Sequence, residues 1–460
     1  MVDAKSVIAI FDVGKTNKKL FLFDEQYRIV YEKSARFNET LDEDGEPCEN
    51  LESLRQSVFS SMREVLKLKE FDVKAVNFSA YGASFVYLDE NGKELTPLYN
   101  YLKPYPDDLK RRLYTVHGSE GTLAMQTASP PLGSLNSGLQ LYRLKHTQPQ
   151  IYDKVKAALH LPQYLSYLLT GKPCSDMTSI GCHTSLWDFE KNSYHDWVIA
   201  EGLTEKLAPI AACDNTITTN FEGHKLNVGI GLHDSSAALI PYLVSFNEPF
   251  VLLSTGTWSI SLNPFDQTPL TAAELENDCL KYIQFKGRPV KASRLFAGYE
   301  YEQQTRRIAE HFGQNAAKYK HTEFNPDIVE QLEKKYPTRQ GRAIGTIQFA
   351  ARDLSEFNND IEAYYQLMRD IITQQKASTK LVMKGTPVKR IFVDGGFGKN
   401  PVFMQLLALA FPGMEVFAGS MAQATGIGAA LAIHQAWNNR PQPTDLIALK
   451  YYSGKNTHAF

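Results

Sequence analysis

The 460 residues set 49 lysines and arginines against 51 aspartates and glutamates, a net charge of −2. With no basic stripe interleaved with aromatics, that balance argues against nucleic acid as a partner and confines any polyanion to a local site. Hydrophobic residues at 43% and charged residues at 22% fit an ordinary globular protein, the length favours two domains over one, and no apolar run reaches the roughly 18 residues that span a bilayer.

Without a signal-peptide core or a membrane span, the expectation is a cytoplasmic protein with no membrane partner. Five cysteines, an odd number with no CxxC spacing, fit neither a disulfide framework nor a zinc knuckle and are read as thiols.

Taken in chain order, residues 7–37 read as strand, turn, strand, turn, strand, with Asp12-Val13-Gly14-Lys15-Thr16-Asn17 at the first reversal. Residues 51–66 place Leu51, Leu54, Val58, Met62, Val65 and Leu66 near helical spacing. Strands at 73–79 and 85–88 flank Tyr81-Gly82, and Asp89-Glu90-Asn91-Gly92 predicts a hairpin turn with positive φ at both central positions. From 107 to 224 the pattern is helical and loop-rich, with helices at 139–145 and 163–169, and looks like an insertion on the first domain. A strand at 228–232 runs into His233-Asp234, and a helix starts at Ser235. The loop at 245–249 marks a boundary between domains 1–245 and 246–460.

The second domain opens with a strand at 250–253, the turn Ser254-Thr255-Gly256-Thr257, and a return strand at 258–262. Helices are predicted at 300–312 and 360–375. A strand at 388–394 then meets Gly395-Gly396, followed by helices at 401–411 and 426–434.

Three of these turns sit at the mouths of apolar strands, where backbone N–H groups are expected to be free to meet an anion. The first two share the plan strand, turn, antiparallel strand, which suggests a faint internal duplication with half of a nucleotide-phosphate cradle in each domain. Asp12 supplies a carboxylate suited to orienting a metal through water, and Gly14, Lys15, Thr16 and Asn17 supply approach and donors. Thr255, Gly256 and Thr257 form the other half. Taken singly, each is equally an ordinary turn.

Asp234 reads both as a helix N-cap and as a carboxylate able to accept a hydroxyl proton while that oxygen attacks phosphorus. The transition state of phosphoryl transfer is loose, so an ordinary Asp serves. His233 is expected to contact a substrate hydroxyl rather than a metal, because no His or Cys lies at ligand spacing in the sequence, and the remaining histidines form no cluster. Trp187 and Trp197 are expected to pack in the core or at a domain interface.

Assembled, these residues resemble the FGGY carbohydrate kinases, a family within the sugar kinase, Hsp70 and actin superfamily, over nearly the whole chain. Asp12 to Asn17 resembles the first phosphate motif, Gly231-Leu232-His233-Asp234 the catalytic-base motif, Ser254 to Thr257 the second phosphate motif, and Gly395-Gly396 with Asn400 the adenosine-binding turn. The resemblance implies an α/β fold of two RNase H-like, actin-like ATPase domains with a cleft between them, and ATP with Mg2+ as cofactors. It implies a small-molecule sugar as substrate, contacted by Tyr81, Gly82, Asn100, His233 and Asp234, and leaves a homodimer open. The His-Asp pair and Gly256-Thr257-Trp258 are most similar to kinases of the 6-deoxyketoses L-rhamnulose and L-fuculose, with a xylulose or other polyol kinase, a non-catalytic sensor and an Hsp70-like ATPase as alternatives. Two departures stand out. Tyr99-Asn100-Tyr101-Leu102-Lys103 lacks the arginine that many members carry there, so the sugar contacts must differ, and the third glycine of the adenosine turn is Phe397.

Overall fold

The β-branched and aromatic run of Lys5–Val13 is buried on both faces, which is the condition for a central strand of a sheet covered on both sides. In this computed structural model, which describes residues 4–15, 17–337, 347–421 and 423–454, the chain divides into two units. The first comprises Met1–Ser245, Lys281–Pro289 and Gln423–Leu446, and the second Phe246–Leu280, Val290–Ala422 and Ile447–Phe460.

The sheet of the first unit contains β1 (Lys5–Val13), β2 (Lys18–Asp24), β3 (Ile29–Ala35), β4 (Phe71–Ala80), β5 (Thr216–Phe221), β6 (His224–Gly229) and β7 (Leu232–His233). Their order is β5-β6-β4-β1-β2-β3, with β7 also paired to β4. β1 runs antiparallel to β2 and parallel to β4, and β4 runs parallel to β6 and β7. Helices Leu51–Lys67 and Leu161–Thr170 cover it, burying Leu54, Val58, Met62 and Leu165 in one core with Val7, Phe78 and Val228. The late helix Ala424–Ala432 returns to this unit, where a Cβ on Gly428 would lie 1.9 Å from the Ala237 carbonyl oxygen. Only glycine permits that backbone-to-backbone approach.

Two local expectations change. The strand predicted at 228–232 is broken between β6 and β7, because Gly231 at φ +81° turns the chain against Pro162. Asp234 is therefore the first residue of helix Asp234–Ser245 rather than the cap before it. At 89–92 only Gly92 has positive φ, and Asp89 Oδ1 accepts from Asn91 N–H and Lys93 N–H. The aspartate side chain organises that turn, so the doubly left-handed form is not needed.

The second sheet contains β8 (Phe250–Thr255), β9 (Ser259–Asn263), β10 (Cys279–Ile283), β11 (Pro289–Leu295), β12 (Arg390–Gly395), β13 (Glu415–Ser420) and β14 (Ala448–Tyr452). The order is β10-β11-β9-β8-β12-β13-β14. Helices Ala297–Phe312, Asp360–Leu381 and Pro401–Ala410 pack Ile308, Tyr364, Ile371 and Phe403 against it. The five cysteines are buried and none is in a disulfide. Among the described residues no helix is long and apolar enough to cross a membrane.

Candidate active site

In the first unit, Asp12 stands near the end of β1, and its Oδ2 accepts a 2.7 Å hydrogen bond from Thr425 Oγ1, which arrives 413 residues later in the chain. Burial pushes the Asp12 carboxyl up to about 6; the Thr425 bond opposes that shift and the charge of Asp234 adds to it. The Asp12 carboxyl near the end of β1 thus feels the charge of Asp234 beyond the end of β7, both strands being paired to β4.

The turn after Asp12 corrects part of the sequence reading. Gly14 N–H donates to the Asn17 carbonyl at 2.9 Å, closing the hairpin, and is not free for an anion. Gly256 N–H is likewise committed to the Trp258 carbonyl at 2.8 Å. In each case the bond closes the antiparallel return. Lys15 Nζ pairs with Glu39 at 2.8 Å, and Asn17 Oδ1 accepts from Arg36 Nε at 2.9 Å. Thr16 lies outside the described residues.

β7 delivers His233 and Asp234. The Asp234 carboxylate is 31% exposed, enough to meet a ligand, and Oδ1 accepts from Ser235 N–H at 2.6 Å. His233 is buried with Nε2 3.4 Å from Asp234 Oδ1; burial lowers its pKa and Asp234 partly restores it. A Cβ on Gly82 would lie 2.8 Å from His233 Cδ2, so the glycine makes room for this ring. His233 N–H donates to Thr178 Oγ1 at 2.9 Å, and that hydroxyl donates in turn to the buried Asp176 carboxylate, whose pKa burial lifts to about 6. This relay fixes the backbone beside Asp234.

The expectation that His233 has no His or Cys partner at ligand spacing is overturned. The rings of His183 and His233 meet edge to face with centroids 6.3 Å apart, and Cys182 Sγ lies 3.5 Å from His233 Nε2. Separation in sequence hid the group, because β7 and the segment after helix Met177–Ile180 come together only in the fold.

Tyr81 is a second correction. It is buried, and its hydroxyl donates to Glu49 at 3.2 Å, which in turn is paired with the buried Lys18 at 2.6 Å. Its role is to hold that buried pair. Asn100 closes its own turn by accepting from Leu102 N–H at 3.0 Å. Lys103, near the expected arginine, is buried and paired with Asp42 and Asp44.

In the second unit, Thr255 is a staple. Its buried hydroxyl donates to the Asp394 carbonyl and accepts from Phe397 N–H at 3.0 Å, so it is not available as a phosphate donor. Gly396 N–H adds a 2.9 Å bond to the Thr255 carbonyl, and a Cβ on Gly395, at φ +88°, would stand 2.0 Å from that oxygen. The two turns are thus locked side by side. Gly256 and Thr257 remain exposed, as does Gly396. Asn400 is buried, capping helix Pro401–Ala410 through Phe403 N–H at 3.0 Å and donating to Tyr364 at 2.8 Å.

These turns edge a cavity of about 610 Å³ lined by Gly256, Thr257, Tyr301, Gly396, Phe397 and Asn400, with Arg306, Lys320 and Lys399 also on its wall. The volume is that of a small-molecule pocket, its floor is aromatic, and its cations suit a polyphosphate. Phe397 explains its departure from glycine: it stacks on Phe403 at 4.3 Å and meets Tyr301 edge-on at 5.5 Å, building that floor.

Residues 7–238 match the FGGY family of carbohydrate kinases, N-terminal domain, and residues 247–442 match the carbohydrate kinase FGGY C-terminal domain. The chain is 25% identical over 269 residues to a rhamnulokinase of Halalkalibacterium halodurans, covering 54% of each. It is 24% identical over 271 residues to an L-fuculokinase of Salmonella typhi, covering 56% of each. The chain spans about half the length of the curated relatives it matches. The crystal structure of a carbohydrate kinase from Novosphingobium aromaticivorans superposes with a TM-score of 0.79 over 98% of this chain and 94% of that one, at 23% identity. That likeness shows that the two share a fold.

Proposed function

Because the chain belongs to the FGGY family of carbohydrate kinases, we propose that it transfers the terminal phosphoryl group of ATP to a hydroxyl of a ketose. The 6-deoxyketoses L-rhamnulose and L-fuculose are the first candidates, as the names of the two relatives suggest. The observation that carries this reading is the half-buried Asp234 carboxylate at the mouth of β7, braced by His233 and by a hydrogen bond from the next residue.

The first unit, built mainly from residues 1–245, takes the sugar, and the second, built mainly from residues 246–422, the nucleotide. The aromatic floor at Phe397 and Tyr301 receives the base, and Lys320 and Lys399 attract the phosphates, Arg306 being paired with Glu302 on the same wall. Asp234 accepts the proton of the attacking hydroxyl as its oxygen bonds to phosphorus and ADP departs with the electrons of the broken P–O bond. Asp12 is an oxygen donor near a second carboxylate, a hard set that fits hydrated Mg2+. When bound with ATP, that ion neutralises charge on the β and γ phosphates. His233, against Gly82, holds a sugar hydroxyl in place for Asp234. The same reading assigns the protein to the cytoplasm.

The test is a coupled ADP-release screen over ketoses, 6-deoxyketoses and polyols. The expected result is release that depends on one sugar class. ATP turnover indifferent to every sugar would instead support an ATPase.

A further inference from the structure

The cluster behind Asp234 has a composition that sugar phosphorylation does not call for. Cys182, His183 and His233 are all buried, and one ligand atom from each lies within 4.8 Å of the others. Two donors bound to one tetrahedral zinc ion at its usual bond lengths stand roughly 3.4 to 3.6 Å apart. Cys182 Sγ and His233 Nε2 already stand at 3.5 Å.

The surroundings orient the group as metal sites are oriented. His183 Nδ1 lies 3.2 Å from the Leu135 carbonyl, which accepts only from an N–H, so that ring's lone pair resides on Nε2. His183 itself sits in the left-handed region at φ +43°, and Asn136 Nδ2 holds its carbonyl at 2.7 Å. A β-carbon-bearing residue in that conformation is maintained by its surroundings at some cost, as happens at functional positions. Tyr282 meets both imidazoles edge-on, at 6.1 and 5.9 Å, and walls the group from water.

We propose that Cys182, His183 and His233 form a binding site for a borderline-soft divalent cation, with Zn2+ the best match to one thiolate and two imidazoles. The donor set discriminates against Mg2+, which prefers oxygen ligands and retains its waters. Binding replaces the Cys182 S–H bond with an S–metal bond and releases one proton. Asp234 Oδ1, 3.4 Å from His233 Nε2, lies at the edge of the same site. Resting on the reading of His233 and Asp234 given above, an ion bound here withdraws His233 from the sugar and inhibits phosphoryl transfer.

The full-length protein, freed of metal with a chelator, is titrated with Co2+ and followed by absorption. One equivalent should produce a near-ultraviolet thiolate-to-cobalt charge-transfer band with tetrahedral visible bands, and Zn2+ should bleach both. The charge-transfer band should vanish in Cys182→Ala, and the visible bands should weaken in His183→Gln, with circular dichroism checking that each variant is folded. No charge-transfer band in the wild-type protein, or one undiminished in Cys182→Ala, would overturn the site without relying on any variant's activity. With the preferred sugar and saturating Mg2+ and ATP, Zn2+ should inhibit the wild type at least about tenfold more potently than Cys182→Ala, a difference of about 1.4 kcal/mol in ion binding. A cobalt band without zinc inhibition would uphold the metal site and contradict His233 as a sugar contact.

Discussion

The two units carry the same central sheet and put different chemistry at its edge. In the first, β6, β4 and β1 are parallel and β2 and β3 follow antiparallel. In the second, β13, β12 and β8 are parallel and β9 and β11 follow antiparallel. In both, a glycine N–H closes the first hairpin, from Gly14 to the Asn17 carbonyl and, one residue tighter, from Gly256 to the Trp258 carbonyl. At the strand ends they part. The first unit presents two carboxylates, Asp12 and Asp234, whereas the second presents one, Asp394, beside a staple of backbone and hydroxyl, an aromatic floor and cations. The repeated scaffold therefore presents matching strand mouths in both units, and the side chains there set them apart.

Breaking the second unit should show the largest effect. Phe397→Ala removes the stack on Phe403 and the floor of the cavity; truncating a buried phenylalanine costs about 3 to 5 kcal/mol. Thermal unfolding should fall markedly, and calorimetry should show weakened nucleotide binding. Thr255→Val preserves shape and leaves Phe397 N–H unpaired, costing about 1 to 3 kcal/mol in denaturant unfolding. Were Thr255→Val neutral, the staple would have no energetic role.

The first unit is sharpened by pH. Folding favours the neutral Asp12 carboxyl, so its contribution to stability is present below the ordinary 3.8 and is lost as pH rises through about 6. The Thr425 hydroxyl favours the ionised form that a cation needs. Thr425→Val should therefore move the acid limb of kcat/KM to higher pH, with most activity recovered at pH 8, and an unmoved limb would detach Thr425 from Asp12. The smallest effect belongs to Lys399→Ala. An exposed cation contributes about 0 to 1 kcal/mol, so KM for ATP should rise at most about fivefold, and the difference should shrink in salt.

Much of this was legible in the sequence because it is written locally. Apolar runs before Gly14, Thr255 and Gly395 marked strand mouths, and Gly231-Leu232-His233-Asp234 marked the acid. What was not legible depends on contacts distant in sequence. Thr425 reaches Asp12 across 413 residues, and Cys182 meets His233 across 51, with no periodicity to announce either. Tyr81 and Thr255 misled for the opposite reason: their residue types suit a ligand, but buried Glu49 and the paired turn at Asp394 claim their hydroxyls first.

The division of labour between acid and cavity is tested most directly by Asp234→Asn, measured for ATP binding by calorimetry and for sugar-dependent ADP release on the same preparation. The account predicts unchanged ATP affinity and a loss of turnover of about 10² to 10⁴, the range a positioned general base supplies. Turnover close to wild type would contradict it.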